Sequence, residues 1–350
     1  MNYRLYIIFI IILTVACKKE DPPVNEEKDH FSNGLLVLNE GLFQQNNASL
    51  SWIDLSSEAI TTQVFLKQNE RPLGDTGNDM AIYGGKLYIV VNASSTLEVL
   101  NARTLKSIKQ IPLQYNGQGQ QPRHLAFHQN KAYVSSYDGF VNIIDTSTLS
   151  IKNRIAVGEN PEGIAIVGDQ LYVANSGGLS YPDVDSTVYA IDLISETVKD
   201  TFVVGKNPGD VVSDKEDDIY VVKRGDYGDS DPSELVRISA AGTIMNLGID
   251  ASFITKKKDV MYISHYNYDS GEGTVTTFDL LNEAIISSDH INGAQVETLY
   301  GVHPSSSEVL YIYDAMNFTN TGYIRKFNDN GNLIQSYHVG LNPTKLIHYE

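Results

Sequence analysis

The chain has 350 residues, of which 42% are hydrophobic and 20% charged, a balance that fits a well-cored protein and excludes a disordered or fibrous one. Acidic residues outnumber basic ones 43 to 26, and the net charge of −17 opposes the phosphate-neutralising surface that nucleic-acid binding needs. A single cysteine excludes an internal disulfide framework, a Cys-x-x-Cys redox pair and a thiolate zinc cluster.

Residues 1–16 read as a signal peptide. Met1 to Arg4 is weakly positive, and Leu5 to Ala16 is an apolar run of twelve residues broken only by Thr14. A bilayer-spanning helix needs about 20 residues, so the run has instead the length of a signal-peptide core. Leu13-Thr-Val-Ala-Cys17 resembles the lipobox of bacterial lipoproteins, which implies cleavage before Cys17 and lipidation of that residue. Residues 17–33 are charged, contain Pro22 and Pro23 and hold few large apolar residues, as expected of a flexible tether. Extended, this stretch reaches about 55 Å. Lys19-Glu20-Asp21 resembles the export signal of lipoproteins displayed on the outer face of the outer membrane in Bacteroidota. The expected location is therefore the outer membrane, lipid-anchored and exposed at the cell surface, with membrane contact through the lipid alone.

From residue 34 the sequence repeats at about 45 residues. The marker is an apolar–Tyr–apolar strand, seen at Leu87-Tyr-Ile89, Ala132-Tyr-Val134, Leu171-Tyr-Val173, Ile219-Tyr-Val221, Met261-Tyr-Ile263 and Leu310-Tyr-Ile312, with Gly34 to Leu38 as a first copy lacking tyrosine. A strand opened by proline or acid precedes most copies, as at Pro122, Pro161 and Pro208, and two further strands follow, such as Val141 to Asp145 and Lys152 to Val157. Four strands at this period define a blade, and seven blades across residues 34–350 define an all-β, seven-bladed β-propeller. Gly34 begins with a blade's second strand and Pro343 to Glu350 supplies a first strand with nothing after it, so the C-terminal strand is expected to close the ring by pairing into the first blade. Most marker tyrosines, and Trp52, are read as packing residues, because aromatic side chains suit half-buried strands.

In such a blade the second-to-third-strand loop and the connection into the next blade emerge on one face. The second-to-third loops are short at Asn92 to Thr96 and Tyr137 to Gly139, and longer at Glu40–Asn47, Asn175–Asp185, Lys223–Pro232, His265–Glu272 and Asp314–Thr321. Loops beyond the two to five residues of a simple turn point to function. The expected ligand-binding residues on this face are Phe43, Asp75, Asn78, Asn92, Arg123, Tyr137, Asn175, Tyr181, Arg224, Tyr227, His265, Tyr266, Asp314 and Asn317. Their mixture of aromatic, amide and charged groups suits binding better than chemistry. No catalytic residue is assigned, because no His-Glu-x-x-His, Gly-x-Ser-x-Gly or phosphate-binding glycine loop is present, and Glu162, Asp210 and His265 look dispersed. Arg224-Gly-Asp226 and Asn328-Asp-Asn-Gly331 are read as hairpin turns, and Asp226, Asp229 and Asp231 lack the spacing of a calcium loop, so no metal is assigned.

Leu171-Tyr-Val-Ala-Asn175 and its counterparts resemble the Tyr-Val-Thr-Asn repeat of the YncE-like seven-bladed propellers over nearly all of residues 34–350. Leu38-Asn-Glu-Gly41, Leu73 to Asp79, Ala174 to Gly178, Arg224 to Tyr227 and Tyr313-Asp-Ala315 are similar to the BtuG-like surface lipoproteins of Bacteroidota. That resemblance implies a non-catalytic binder without a resident cofactor, which takes a small-molecule nutrient, with cobalamin as the implied ligand, and passes it to a TonB-dependent outer-membrane receptor. The short turn after Tyr137 departs from the pattern of the cobalamin binders. Two alternatives stay open: a protein-binding surface scaffold, and a propeller enzyme of the lactonase type.

Overall fold

The computed structural model describes residues 31–226, 231–291, 295–305 and 308–349. The signal peptide, Cys17 and the tether up to residue 30, together with Tyr227 and Asp229, lie outside the described residues.

From Phe31 onward the chain forms seven four-stranded antiparallel sheets arranged as blades of a ring. The inner strands, in chain order, are Gly77–Tyr83, Pro122–His128, Pro161–Val167, Pro208–Ser213, Phe253–Lys257, Leu299–Pro304 and Pro343–Tyr349, belonging to blades two to seven and then one. Each blade places its marker strand second, where it is covered on both faces. Tyr88, Tyr133 and Tyr220 are fully buried there, in the packing role that the sequence suggests. Trp52 is also buried, with ring centroids of Phe31 and Tyr349 at 5.0 and 5.4 Å. Apolar clusters fill the space between neighbouring blades, such as Leu36, Leu38, Leu50 and Trp52 against Met80, Leu87 and Ile89. The core is therefore a chain of inter-blade layers.

The ring closes as expected. Pro343–Tyr349 pairs antiparallel with Gly34–Asn39, in the register Gly34 to Tyr349, Leu36 to Ile347 and Leu38 to Lys345. Loop contacts extend the closure: the Glu40 and Gly41 amides donate to the Asn342 and Leu341 carbonyls, and Asn342 Nδ2 donates to the Gly41 carbonyl at 3.0 Å.

Two elements depart from the sequence reading. Blade one has an outer strand of two residues, Ile60–Thr61, followed by a short helix, Val64–Asn69, that buries Val64 and Phe65. The connection from blade two to blade three carries a small extra hairpin, Gln114–Tyr115 with Gln118–Gly119. A further correction concerns blade six, where His265–Glu272 was expected as a long loop. Strands Val260–Asn267 and Glu272–Asp279 instead run on as a long hairpin with the turn at 268–271, since the alternation of side chains continues through Tyr266.

The start of each inner strand matters most for function. The residue before it sits in the left-handed region in five blades: Thr76, Gln121, Asn160, Asn207 and Asn342, with φ from 44 to 62°. Asparagine tolerates this region better than most residues. A β-bulge lies between Gly77 and Asp79, Pro122 and Leu125, Pro161 and Ile164, Pro208 and Val211, and Pro343 and Lys345, and blade seven has one between Leu299 and Gly301. A bulge leaves residues unpaired and re-aims their side chains. Here it turns Asn78, Arg123, His124, Asp210 and Tyr300 toward the axis.

Candidate functional site

The bulged ends of the inner strands enclose an axial cavity of about 270 Å³. Its walls carry Glu40, Asn78, Asp79, Arg123, His124, Asp210, Arg224, Phe253, Tyr300 and Lys345. Its mouth opens on the face where the second-to-third loops emerge.

Glu162, 2% exposed, is the centre of the polar wall. Its Oε2 accepts from Arg123 Nε at 3.0 Å, and its Oε1 accepts from Arg123 Nη2 and Arg224 Nη1, each at 3.3 Å. The Tyr137 hydroxyl donates to Oε1 as well, and His124 Nε2 lies 3.6 Å from Oε2. The Arg123 guanidinium rests over the Tyr137 ring, 4.8 Å from its centroid, which adds a cation–π contact. Burial opposes ionisation of Glu162, but Arg123, Arg224 and His124 outweigh it and hold the carboxyl well below the ordinary range. Burial and the negative charge of Glu162 push the Tyr137 phenol up.

Close approach of blades four and five makes this cluster possible. A Cβ on Gly163 would lie 2.5 Å from the Gly209 carbonyl oxygen, and one on Gly209 would lie 2.6 Å from Arg224 Nε. Glycine at both positions lets the strands converge and gives Arg224 its path to Glu162.

Across the axis the wall is aromatic. Phe253 meets Tyr300 edge-on at 5.5 Å, Tyr300 meets Phe318 at 5.5 Å, Phe318 stacks with Tyr268 at 6.4 Å, and Tyr268 meets Tyr266 at 5.0 Å. The series climbs from the cavity to Tyr268 on the rim. Glu40 joins the two walls, accepting from the Tyr300 hydroxyl at 2.7 Å. Burial raises the Glu40 pKa and, with Glu40 beside it, raises that of Tyr300 far more.

A second polar pair lies deeper. Asp79 accepts from the Leu125 amide of the next blade at 3.0 Å and pairs with Lys345 Nζ at 3.1 Å, tying blades one, two and three together. Asp210 repeats the inter-blade link to the Ile254 amide at 3.2 Å.

Among the residues that the sequence marked, Asn78, Arg123, Tyr137 and Arg224 come together here. Tyr266 stands on the aromatic side, its hydroxyl donating to the Glu297 carbonyl at 3.1 Å. Phe43 and Tyr181 project from the rim loops, more than half exposed. Asp75 braces the blade-one loop by accepting from the Gln44 and Asn46 amides at 3.1 Å. Asn317 closes its own loop by accepting from the Thr319 and Asn320 amides. Asn92, Asn175 and Asp314 are buried in the frame. Asn92 donates to the Pro122 carbonyl, Asn175 binds the Gly158 amide and the Thr187 hydroxyl, and Asp314 holds Arg325 at 2.8 Å. His265 lies on the blade-six strand with Nδ1 buried, and burial lowers its pKa.

Of Glu162, Asp210 and His265, which look dispersed in sequence, Asp210 lines the axial cavity, Glu162 binds the lining residues Arg123 and Arg224, and His265 is not part of the lining. Glu40, His124, Tyr300 and Lys345 were missed. The signal that reaches most of the axial set is positional: the residues just after a strand-opening proline, as with Arg123, Glu162 and Lys345, fall in or beside the bulge.

Seven radial sheets around an axial cavity with polar and aromatic walls define the class: a seven-bladed β-propeller. The chain belongs to the family described as "Domain of unknown function (DUF5074)", whose model matches residues 33–342. No curated protein matches the sequence significantly. Among solved structures, a quinonprotein alcohol dehydrogenase-like protein of Bacteroides thetaiotaomicron is similar at 15% identity and a TM-score of 0.65, covering 91% of this chain and 79% of that one. A functionally unknown protein of Desulfotomaculum acetoxidans matches at 12% identity and a TM-score of 0.63, over 90% and 98% of the two chains. Hydrazine synthase of Kuenenia stuttgartiensis matches at 16% identity and a TM-score of 0.59, over 75% and 85%. At these identities the likeness concerns the fold.

Proposed function

We propose that the protein is a surface lipoprotein that binds a small-molecule nutrient over the propeller mouth and delivers it to a TonB-dependent outer-membrane receptor, with cobalamin as the first candidate ligand. The observation that carries this reading is the convergence of polar groups from several blades, Asn78, Arg123 and Asp210, on one axial cavity opposite an aromatic wall, with buried Glu162 holding Arg123 in place. Fixed polar groups facing an apolar wall are the usual make-up of a small-molecule site. A rigid ring holds them in place before the ligand arrives, so little ordering entropy opposes binding. The choice of face has independent support. Among the described residues, the aromatic side chains more than half exposed are Phe43, Tyr115, Tyr181 and Tyr268, and all four belong to loops of the mouth face.

A general base needs an acceptor oxygen that faces the substrate and titrates near the working pH. Glu162 has both oxygens engaged and a depressed pKa, which suits ligand orientation. One observation favours the enzymatic alternative: Glu40, with a raised pKa, stands near ionised Glu162, a pairing of the kind that splits acid and base roles. Lactone hydrolysis abolished by Glu40→Gln would establish that alternative.

Cobalamin is too bulky to enter a cavity of about 270 Å³ and would lie across the mouth. Gel filtration of residues 18–350 with micromolar cyanocobalamin tests the reading. Coloured ligand is expected to travel with the protein, and a colourless protein peak rejects cobalamin.

A further inference from the structure

Beside the mouth, between blades three and four, lies an open cleft of about 580 Å³. Its walls come from the blade-three turn Tyr137-Asp138-Gly139, from Phe140 and Ala156, from the connection Val157 to Asn160, and from Ser180 and Asp185 of the blade-four loop. The cause is a difference in loop length. Blade three turns within three residues, helped by Gly139 at φ 84°, whereas blade four carries the long segment between Asn175 and Thr187. The short turn leaves open the space that the long loop borders. The short blade-three turn therefore creates a recess on the mouth face.

Tyr137 links the two spaces through Arg123, which lines the axial cavity. It lines the cleft, while its hydroxyl reaches Glu162 and its ring carries Arg123 on the axial side. The chemistry of the two compartments differs. The axial wall sets the guanidinium donors of Arg123 and Arg224 beside the carboxylates of Glu40, Asp79 and Asp210. The cleft presents the acceptors Asp138, Glu159 and Asp185, each held in place: Asp138 by Arg154 and by Gln120 at 3.0 Å, Glu159 by the Ser180 hydroxyl at 2.9 Å, and Asp185 by the Thr187 amide at 2.9 Å. Leu179 and Tyr181 stand exposed beside Ser180, giving the recess an apolar border.

We propose that this cleft is an off-axis subsite continuous with the mouth, and that the ligand is a bulky molecule whose acceptor-bearing part reaches Arg123 while a flank rich in hydroxyl or amide donors occupies the cleft. The inference rests on the nutrient-binding reading and adds the ligand's size and chemical class. Alone, the axial cavity falls below the roughly 300–1,000 Å³ of ordinary ligand sites, and with the cleft it comes within that range. The acidic lining disfavours an anionic flank, because carboxylates repel it.

The test fills the cleft from opposite sides at exposed positions, with Ala156→Trp and Ser180→Trp, and uses Ile334→Trp on the exposed outer strand of blade seven as control. Each variant and the unaltered protein are titrated with cyanocobalamin and with maltoheptaose by calorimetry, and melting curves confirm folding. Both cleft variants are expected to weaken binding of whichever probe the unaltered protein takes by tenfold or more, with the control unchanged. Equal affinity in the cleft variants overturns the subsite and leaves axial binding standing. Failure of the unaltered protein to bind either probe overturns both the subsite and the reading on which it rests.

Discussion

Glu162 is a carboxylate buried under two arginines and a tyrosine, and its neighbours depend on it as much as it does on them. Removing one partner of a buried ion pair leaves the other charge uncompensated, at a cost of about 3–5 kcal/mol. Glu162→Gln is therefore expected to lower the unfolding free energy by about 3 kcal/mol in a denaturant titration, because Arg123 and Arg224 then lie side by side without the carboxylate that joins them. The pH dependence has a definite sign. In the folded state Glu162 stays ionised below its ordinary value of 4.5, whereas in the unfolded chain it takes up a proton there. The unfolded state then binds more protons, so the contribution is whole above pH 4.5 and is lost as pH falls through the folded value. Stability curves of the two proteins should converge in acid, and a constant gap from pH 7 to pH 3 would refute this account. His303 on the channel wall adds to the same limb. Burial, with Lys345, His348 and Lys257 nearby, lowers its pKa to about 4, so acid favours the unfolded chain there as well.

At the scale of the element, the closing strand decides whether seven blades behave as one body. Leu346 is 2% exposed and packs with Leu35, Val37, Tyr311, Tyr313 and Ile324, which belong to blades one and seven. Without Pro343–Tyr349, Gly34–Asn39 becomes an exposed inner edge and Asp79 loses Lys345. Truncation after Asn342 is expected to lower the melting temperature sharply, and Leu346→Ala alone to cost about 2–5 kcal/mol. An unchanged melting curve for the truncated chain would show that the ring holds without its closure. This element was fully legible in sequence, because a strand with no successor at one end and a blade with no first strand at the other can only complete each other. The marker tyrosines were legible for a similar reason: burial on both faces imposes the same residue pattern each time. The mouth was legible only in part. Bulges displace residues by one position and send consecutive side chains to unexpected sides, so alternation does not reveal that Arg123 and Asp210 line one axial cavity. Nor does it reveal that Asp314, taken for a loop ligand, ends a strand and is spent on Arg325.

For the whole molecule, the question is what holds it at a membrane. Among the described residues no helix is long and apolar enough to cross one. The net charge of −17 gives anionic headgroups no reason to attract the chain. Under the proposed function, attachment then depends on lipidated Cys17. Each buried acyl CH₂ contributes about 0.8 kcal/mol, so two or more chains on one residue make release negligible. Under the proposed function, an anchor on Cys17 confines the protein to the membrane that holds its receptor. That converts a bimolecular encounter into one governed by an effective concentration, without any added contact. Cys17→Ser removes the acyl acceptor and leaves the propeller unchanged. In detergent phase partition of whole cells, the unaltered protein is expected in the detergent phase and Cys17→Ser in the aqueous phase. Its affinity for ligand should be the same as that of the unaltered protein in solution, while ligand uptake by intact cells falls. If Cys17→Ser still enters the detergent phase, another part of the chain carries the attachment; if uptake is unaffected by its release, membrane proximity to the receptor is not what the anchor provides.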